Sequence, residues 1–525
     1  MSKLYRMNVL VSSDITDLLQ GAKEVKEELE LEINKLGLSD EIAVVETGNL
    51  GFANKGVVIY VLPDNVYYGF MTPERARIVV NEHFYKGRVV KDFVISDTLK
   101  DNNKIEYAIN KTTLPKQKRV VLRGCGMLNP DDIEEYIAFD GYEALVKAIT
   151  EYTPEDIIKI IKDSGLRGRG GAGFPTGMKW EFTANVKKSP KYVVCNADEG
   201  EPGTFKDRLI MEGNPHLIIE GMAIAAFAIG AEKGYVYIRG EYAQSIEKLQ
   251  RAIDQAKMIG FLGNDILGKG FNFDIEIVTG AGAYVCGEET ALLNSMEGKR
   301  GNPRVKPPYP NTAGFNNQPT LVNNVETLAN VPWIINNGAD EYRKIGTEST
   351  PGTKVFTLLG SVNNTGLIEV PMGITLKEII EIYGGGMKKG RAFKAAQTGG
   401  TSGGIIPRAL WEVPMEYDSL AKVGTALGSG ALLIMDDTVE IPDMLLSMMK
   451  FFRHESCGKC TPCRVGTDVL VRLLEKVVNK EASKEDVDLL LSTSEVMNKT
   501  CLCALGQSPY IPINTSIKYF HHEFV

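Results

Sequence analysis

Three cysteines stand close together near the end of the chain, in the segment Glu455-Ser-Cys457-Gly-Lys-Cys460-Thr-Pro-Cys463-Arg464. A Cys-x2-Cys-x2-Cys spacing directs three thiolates at one small centre and so constrains the fold around it. Two further candidate ligands, Cys501 and Cys503, follow downstream, and spacing alone does not choose between them. Four thiolates around one centre are the ligand set of an iron–sulfur cluster. The pattern therefore predicts a chain that moves electrons.

A zinc site is the alternative interpretation of these cysteines. Structural zinc usually takes paired Cys-x2-Cys units, whereas three close cysteines and a remote fourth are typical of cubane cluster loops. The chain has 525 residues and eight cysteines, which are too few for a disulfide scaffold. Clustered cysteines in a chain without an export signal favour metal or redox chemistry, so we predict a cytoplasmic protein with a [4Fe-4S] cluster.

Composition excludes several classes of function. The formal net charge is -8, so the chain has no general attraction to nucleic acid or anionic lipid. The longest apolar stretch, Leu217 to Ala231, contains Glu220 and is shorter than the roughly 20 residues that cross a bilayer. The N-terminus lacks the apolar core of a signal peptide. We expect no nucleic-acid partner and no direct membrane insertion.

Residue patterns divide the chain into five parts. Residues 1–97 alternate strand and helix patterns and predict a small α/β domain, and residues 98–130 are polar and predict a linker. Residues 131–349 alternate apolar strands with helices, which predicts a layered α/β domain. Residues 350–440 are β-rich, with one helix from Leu376 to Tyr383. Residues 441–525 return to helices, predicted at Met444 to His454, Asp468 to Asn479 and Lys484 to Asn498.

A glycine-rich segment runs from Gly165 to Lys179. Glycines let backbone N–H groups approach an anion closely, and Arg169 and Lys179 add charge suited to phosphates. The segment contains Gly168-x-Gly170-x-x-Gly173, which matches the Rossmann pattern. A Rossmann loop follows a strand, whereas this loop follows a predicted helix, so we reject that interpretation. The density of glycines with interleaved cations also argues against a merely flexible loop.

Two further motifs follow predicted strands. In the segment from Val194 to Arg208, an amide and carboxylates stand at a strand end, where ligands bind in α/β sheets. The alternative is a polar turn with Asp198 as a helix cap. In the segment from Gly280 to Leu293, glycines precede a helix predicted to open near Glu288, where free N–H groups suit a phosphate or ring carbonyl. Carboxylates at that position also simply offset the helix dipole.

Prolines stiffen the segment from Arg300 to Pro310, and its Tyr309, beside cations, suits stacking on a base. A proline-rich surface loop is the alternative. Two adjacent amides, Asn323 and Asn324, complete the set of candidate ligands. Cys286 has no histidine near it in sequence and is expected to be a small buried residue.

Together and in this order, the motifs resemble those of the NADH-binding flavoprotein subunit of respiratory complex I. They resemble equally the β subunit of soluble NAD-dependent [FeFe] hydrogenases and formate dehydrogenases. The similarity covers about residues 150 to 510. It implies FMN in a non-Rossmann α/β domain, then a β-grasp (ubiquitin-like) domain at 350–440 and a helical [4Fe-4S] bundle at 441–525. It also implies hydride transfer between NAD(H) and FMN, followed by single electrons to the cluster, without a classical catalytic acid or base.

The resemblance implies a role for each matching residue. Those expected to bind FMN or line the nicotinamide site are Gly168, Arg169, Gly170, Lys179, Asn196, Asp198, Glu199, Tyr284, Gly287, Glu288, Glu289, Asn323 and Asn324. Those expected to embrace the NADH adenine and its ribose are Phe174, Phe182, Tyr309 and Glu201. The cluster ligands would be Cys457, Cys460, Cys463 and Cys503, because Cys503-Ala-Leu-Gly506 matches the family and leaves Cys501 as an extra thiol.

The N-terminal domain departs from this resemblance. In hydrogenase β subunits it is thioredoxin-like and holds a [2Fe-2S] cluster on four cysteines, but the first 124 residues here contain no cysteine. Thr47-Gly48-Asn49-Leu50-Gly51 stands where a cysteine-containing turn is expected. We therefore expect one cluster in the chain and hypothesise that the N-terminal domain is a docking module.

The implied partners are a thioredoxin-like [2Fe-2S] subunit and a larger multi-cluster subunit of hydrogenase, formate dehydrogenase or complex I type. A hydrogenase-type complex is favoured. The alternatives are a complex I subunit that feeds quinone, a non-catalytic assembly scaffold, and a zinc-bearing nucleotide-binding protein.

Overall fold

The computed structural model describes residues 5–95 and 117–525. The strands are β1 (Met7–Ser12), β2 (Ile42–Thr47), β3 (Ile59–Leu62), β4 (Val66–Tyr68), β5 (Tyr192–Ala197), β6 (Lys233–Arg239), β7 (Gly263–Ile266), β8 (Phe271–Gly280), β9 (Thr320–Asn324), β10 (Thr353–Gly360), β11 (Gly366–Pro371), β12 (Phe393–Thr398), β13 (Ile405–Pro407) and β14 (Ala431–Asp436). The first α-helices are α1 (Ile15–Leu19), α2 (Ala22–Lys35), α3 (Pro73–Val79), α4 (Ile133–Ala138), α5 (Glu143–Glu151), α6 (Pro154–Asp163), α7 (Thr176–Asn185), α8 (Lys206–Gly213), α9 (Pro215–Ile229) and α10 (Ala243–Ile259). The others are α11 (Glu289–Met296), α12 (Pro310–Ala313), α13 (Val325–Asn337), α14 (Ala339–Arg343), α15 (Leu376–Glu378), α16 (Tyr417–Lys422), α17 (Ile441–Glu455), α18 (Thr461–Val478), α19 (Lys484–Thr500), α20 (Ala504–Gln507) and α21 (Tyr510–Phe520).

The N-terminal sheet has the strand order β2-β1-β3-β4. Strand β1 pairs parallel with β2 and antiparallel with β3. Helix α2 buries the apolar residues that recur at helical spacing, Ala22, Val25, Leu29 and Ile33. The helical pattern from Ile15 onward breaks at Gly21, whose φ of 98° is open to glycine and strained for other residues.

The turn from Thr47 to Gly51, which stands where a cysteine-containing turn is expected, packs against other parts of the chain. A Cβ added at Gly126, in the next domain, would lie 3.1 Å from the Asn49 carbonyl oxygen and 2.8 Å from the Leu50 side chain. The Ala53 N–H donates to the Thr365 carbonyl at 3.1 Å. This edge of the N-terminal domain is therefore used for packing within the chain.

The prediction of a linker over residues 98–130 is wrong for its C-terminal part. Residues 120–122 are buried, and their three N–H groups donate to the carboxylate of Glu369 at 2.8–3.0 Å. This stretch can be buried because a carboxylate from β11 satisfies its backbone donors. Residues 98–116 of the predicted linker lie outside the described residues.

The central sheet has the order β7-β8-β6-β5-β9. Strands β8, β6, β5 and β9 run parallel, as predicted for a layered α/β domain, and β7 is antiparallel to β8. Helix α9 is buried on nearly all sides, and its Glu220 accepts hydrogen bonds from the Tyr136 hydroxyl at 2.5 Å and the Leu145 N–H at 3.1 Å. The buried-helix interpretation of this apolar stretch is confirmed. Among the described residues, no helix is both long and apolar enough to span a bilayer.

The third sheet has the order β11-β10-β14-β12-β13. Strand β10 pairs parallel with β14, and the other neighbouring pairs are antiparallel. Strands β10, β11 and β14 agree with the β-rich character predicted for residues 350–440, whereas β12 and β13 carry no clear alternating pattern and are not predicted. The predicted helix from Leu376 to Tyr383 is one α-helical turn, α15, continued by a π-helical turn over Ile379–Tyr383.

The C-terminal region is helical, as predicted, with a core that includes Leu445, Phe452, Leu470 and Leu474. The predicted start of α18 at Asp468 is wrong, because the helix already begins at Thr461. A proline in the first turn of a helix is tolerated, since the N–H that it lacks would have no partner within the helix. Cys463 therefore lies in the first turn of a helix rather than in a preceding loop.

Candidate functional site

The glycine-rich segment connects α6 to α7, so it follows a helix and is not a Rossmann loop. Its backbone folds on itself through the Gly168 N–H, which donates to the Phe174 carbonyl at 2.9 Å. The Tyr417 hydroxyl, from α16, donates to the Gly168 carbonyl at 2.6 Å. A Cβ added at Gly170 would lie 2.9 Å from the Cβ of Asn324. Glycine is needed because the loop is pressed between the carboxyl end of β9 and a tyrosine of the third domain.

Arg169 does not have the predicted role of binding a flavin phosphate. Its side chain is 0% exposed. The guanidinium donates to the carbonyls of Thr353, Pro351 and Arg167 at 2.8–3.1 Å, and to the Tyr342 hydroxyl at 3.2 Å. Four of the five N–H donors of this guanidinium are therefore used inside the protein. Arg169 therefore ties the glycine loop to the start of β10.

Lys179, on α7, has a partly exposed side chain, unlike Arg169. Its ammonium group contacts the Glu289 carboxylate at 2.8 Å, and Lys306 contacts both Glu288 and Glu289 at 2.9 Å. Burial alone would raise the pKa of Glu289, but the two ammonium groups outweigh it and lower the pKa to about 2. Helix α11 begins where predicted, and Glu288 caps it by accepting the N–H groups of its second and third residues. The dipole-offsetting interpretation thus holds for Glu288.

The acidic motif, Val194 to Arg208, contacts the first turn of helix α8, which begins within it. Glu199 accepts the N–H groups of Asp207 and Arg208 at 2.9 and 3.1 Å, so it caps α8. The alternative in which Asp198 is the helix cap is wrong, because its carboxylate lies 3.6 Å from Arg239 instead. Burial raises the pKa of Asp198 to about 7, although Arg239 opposes the shift. Burial, then the neighbouring Asp207, raise the pKa of Glu199 to about 7.

Glu201 joins the central domain to the third domain. Its carboxylate accepts the Tyr284 hydroxyl at 2.6 Å, the Thr401 hydroxyl at 2.5 Å and the Ser402 N–H at 3.0 Å. Burial raises the pKa of Glu201, and these donors oppose the shift. Glu201 therefore fixes the position of Tyr284 against the third domain.

The predicted amide ligands bring separate loops together. Asn196 donates to the Gly287 carbonyl at 2.9 Å. Asn324 donates to Asp207 at 2.7 Å and caps α13 through its side-chain oxygen. Asn323 accepts the Trp180 indole N–H at 2.9 Å. The carboxyl ends of β5 and β9 and the glycine motif before α11 thus meet at one edge of the sheet, where ligands bind in this class of fold.

The three predicted adenine-stacking rings are exposed. Phe174, Phe182 and Tyr309 are 48%, 43% and 55% exposed. They stand on the glycine loop, on α7 and immediately before α12, and α7 contacts α12. Large exposed rings on adjacent elements are suited to stacking on a planar ligand.

The cations of the proline-rich segment are already paired. Arg304 contacts Glu297 at 2.8 Å, and Lys306 contacts the two glutamates described above. Arg300 donates to the Cys457 carbonyl at 2.9 Å. These cations therefore organise the segment and the cysteine loop.

Sequence reasoning missed three residues that shape the site. Arg239 ends β6, and one of its terminal nitrogens is buried without a hydrogen-bond partner. The strand-end rule that selected Asn196 also applies to Arg239 and could have found it. Tyr417 and Glu455 act across long separations in sequence, and no local pattern indicated them.

Five thiols surround the predicted cluster position. Cys457 and Cys460 are half-buried, Cys463 is buried in the first turn of α18, and Cys501 and Cys503 follow α19. Backbone N–H groups of residues 505 and 506 approach the Cys503 thiol. Soft thiol donors on helix ends and turns fit an iron–sulfur cluster. In the described ranges, no three His, Cys, Asp or Glu side chains stand close enough to hold a single metal ion.

The cysteine loop is tied directly to the glycine motif before α11 and to the proline-rich segment after it. The Tyr284 N–H donates to the Glu455 carboxylate at 2.9 Å. Lys459 donates to the Pro303 carbonyl at 2.6 Å, in addition to the bond from Arg300. The Tyr284 bond joins the loop that precedes α11, and the bonds of Arg300 and Lys459 join the segment that follows α11, to the loop that carries the thiols. The motifs that the sequence separates by more than a hundred residues form one continuous site.

Three segments match known domain families. Residues 161–333 match the Nuo51 FMN-binding domain, and residues 355–406 match the SLBB domain. Residues 443–525 match the iron-sulfur binding region of NADH-ubiquinone oxidoreductase-F. The first and last matches contain the glycine loop and the cysteine loop, respectively.

Similar proteins cover most of the chain. The chain is 51% identical over 417 residues to the NADP-reducing hydrogenase subunit HndC of Solidesulfovibrio fructosivorans, covering 79% of this chain and 84% of that protein. It is 49% identical over 406 residues to the F 2 subunit of NADH-quinone oxidoreductase of Rhizobium meliloti (strain 1021), covering 77% and 96%. It is 45% identical over 395 residues to the F subunit of NADH-quinone oxidoreductase of Escherichia coli (strain K12), covering 75% and 88%.

A solved structure shares the fold of the whole chain. A chain of the NAD+-reducing [NiFe]-hydrogenase in the H2-reduced state superposes with a TM-score of 0.69 at 29% identity, covering 100% of this chain and 84% of that chain. The sequence identity to the relatives and the domain matches agree on one family. This chain belongs to the family that contains the F subunits of NADH-quinone oxidoreductases and the hydrogenase subunit HndC.

Proposed function

We propose that this chain is an NADH dehydrogenase subunit that transfers hydride between NAD(H) and FMN. It then passes single electrons through a [4Fe-4S] cluster to partner subunits of an NAD-dependent hydrogenase or a related complex. The observation that carries the proposal is the hydrogen bond from Tyr284 to Glu455, two residues before Cys457. It joins the FMN-binding motifs to the cluster motif in one site, as an electron path between the two cofactors requires.

Bound FMN supplies the chemistry that links a two-electron hydride donor to a one-electron acceptor. The protein's own residues supply binding and orientation. Lys179 and the glycine loop at Gly168 and Gly170 would hold the phosphate, and Asn323 would face the ribityl chain or ring. Glu289, kept ionised by its two cationic neighbours, which lower its pKa, would line the nicotinamide side.

The chain's remaining ligand roles follow from the exposed rings and the thiols. Phe174, Phe182 and Tyr309 would enclose the adenine, and Cys457, Cys460, Cys463 and Cys503 would bind the cluster. The side chains that are engaged with other protein groups position the loops that contact the cofactors; they are Glu199, Glu201, Glu288, Asn196 and Asn324.

The domain assignment supports this proposal. The strand order β11-β10-β14-β12-β13 is that of a β-grasp sheet, with the first and last strands paired in parallel at the centre. We assign residues 350–440 to this domain, residues 131–349 to the FMN domain and residues 441–525 to the cluster domain. Residues 1–97 are assigned to a thioredoxin-like domain that lacks cluster cysteines. Its docking role remains a prediction, and it must use a face other than the buried turn at Asn49 and Leu50.

The Lys179→Ala variant tests the flavin assignment. We expect the purified variant to lack the yellow flavin spectrum and NADH–dye activity, because the phosphate loses its cationic partner. Lys187→Ala is the matched control, since Lys187 is exposed just beyond the same helix. A normal flavin content in Lys179→Ala would contradict the assignment.

A second candidate function is a complex I subunit that feeds quinone, which the 49% and 45% identities to NADH-quinone oxidoreductase subunits favour. Co-purification of the native complex separates the two candidates. A thioredoxin-like [2Fe-2S] subunit and a larger multi-cluster subunit are the expected partners, with hydrogenase or formate dehydrogenase subunits supporting the first candidate. Wild-type protein without flavin or NADH–dye activity would instead support a non-catalytic scaffold. The cytoplasmic location stays a prediction.

A further inference from the structure

Five thiols stand near the predicted cluster position, which is one more than a cluster with four cysteine ligands uses. Cys501 caps the C-terminus of α19 and is 6% exposed, and Cys503 follows two residues later. The family resemblance selects Cys503 and leaves Cys501 without a role. The structure places both thiols beside the cysteine loop, so the role of Cys501 can be argued from its neighbours.

Cys501 approaches the loop from the side of Cys463. A Cβ added at Gly506 would lie 2.7 Å from the Cys501 sulfur and 3.0 Å from the Cβ of Cys463, so both cysteines border the same glycine. The Cys501 sulfur therefore lies close to Cys463, one of the three cysteines that the Cys-x2-Cys-x2-Cys segment contributes.

Cys503 approaches from the other side. Its thiol faces Cys457 and receives the N–H groups of Leu505 and Gly506 at the start of α20. Backbone bonds to a cysteine sulfur are a common feature of cluster ligands, since they stabilise the thiolate. The two downstream thiols thus both lie beside the cysteine loop.

The backbone at Cys501 is held in place. The Gln507 side-chain amide donates to the Cys501 carbonyl at 2.9 Å, and the Asn498 amide donates to the Gln507 carbonyl at 3.1 Å. These bonds close the segment between α19 and α20 into a compact turn. The Cys501 sulfur is therefore held beside the cysteine loop.

We propose that Cys501 is a reserve cluster ligand, which binds the iron left open when Cys503 is absent. The inference rests on the proposed function, because it presumes that the chain binds a [4Fe-4S] cluster. In the exchange, the Cys501 thiol releases its proton to solvent and forms one Fe–S bond at the open iron. No electron is transferred, and the other three Fe–S bonds to the chain are unchanged.

The test uses full-length Cys501→Ala, Cys503→Ala and the double variant, with Cys195→Ala as the control for removing a buried thiol far from the loop in sequence. Iron and acid-labile sulfide per chain are measured, together with the EPR spectrum of the reduced protein. We expect wild-type content and spectrum in Cys501→Ala. We expect Cys503→Ala to keep most of its iron and sulfide with a shifted spectrum, and the double variant to lose the cluster.

Two outcomes would overturn the inference. One is a Cys503→Ala variant that loses the cluster as completely as the double variant while keeping wild-type circular dichroism. The other is loss of the cluster in Cys501→Ala alone, which would make Cys501 a primary ligand. Wild-type protein without iron and sulfide would contradict the proposed function instead, so the two failures are distinguishable.

Discussion

Replacing Arg169 by methionine distinguishes the role seen in the structure from the role that the glycine motif suggested. Methionine keeps an unbranched side chain that fills much of the same space, but it removes every donor. The carbonyls of Thr353, Pro351 and Arg167 and the hydroxyl of Tyr342 then lose a buried partner. Because Arg169 is 0% exposed, water does not replace the lost bonds.

The expected loss of stability is large. A hydrogen bond to a charged group contributes about 1.5–3 kcal/mol, and leaving a buried acceptor without its partner costs about 1–3 kcal/mol. The free energy of unfolding of a native protein is about 5–15 kcal/mol, so the variant loses a substantial fraction of its stability. FMN binding weakens as a consequence, because the glycine loop is no longer held against β10.

The assay is urea unfolding of the flavin-free protein, followed by titration of the folded variant with FMN. We expect a clearly lower unfolding midpoint for Arg169→Met. The control is Arg472→Met, which removes a guanidinium that is 74% exposed and paired with Asp468, and which should change stability by about 1 kcal/mol or less. A wild-type midpoint combined with lost FMN binding would refute this reasoning and restore Arg169 as a phosphate ligand.

Three further predictions concern other contacts of the chain. Tyr417→Phe removes the hydroxyl that donates to the Gly168 carbonyl, and we expect weaker FMN binding, by about tenfold if the lost bond contributes about 1.4 kcal/mol, in a fluorescence titration. Glu455→Ala should slow cluster reduction by NADH in stopped-flow absorbance, whereas Glu455→Gln, which still accepts from Tyr284, should not; equal rates in both variants would contradict a positioning role. Burial, then Asp14, raise the pKa of Asp17 to about 7, so its contribution to stability is full below about pH 4 and lost as pH rises through 7. Asp17→Asn should therefore become more stable than wild type as pH rises across this range, measured by urea unfolding.

Local patterns were sufficient for much of the fold. The buried helix α9, the alternation of strands and helices in the central domain, and the start of α11 near Glu288 all follow from the short-range spacing of apolar and capping residues. Strands β12 and β13 escaped prediction because their burial comes from pairing with distant β14 rather than from an alternating pattern of their own. The start of α18 was misplaced because the cysteine spacing was interpreted as a loop.

In the candidate site, too, some features follow from the local sequence and others only from tertiary packing. Glycine spacing, strand-end polar residues and the cysteine spacing depend on neighbours in sequence, so the order of residues alone specifies which motifs the chain carries and which cofactors they suit. Whether Arg169 faces a ligand or the protein interior depends on β10, which lies far along the chain, so its role emerges only in the folded protein. The same holds for the bond from Tyr284 to Glu455 and for the position of Cys501, because contacts between distant segments exist only once packing has brought those segments together.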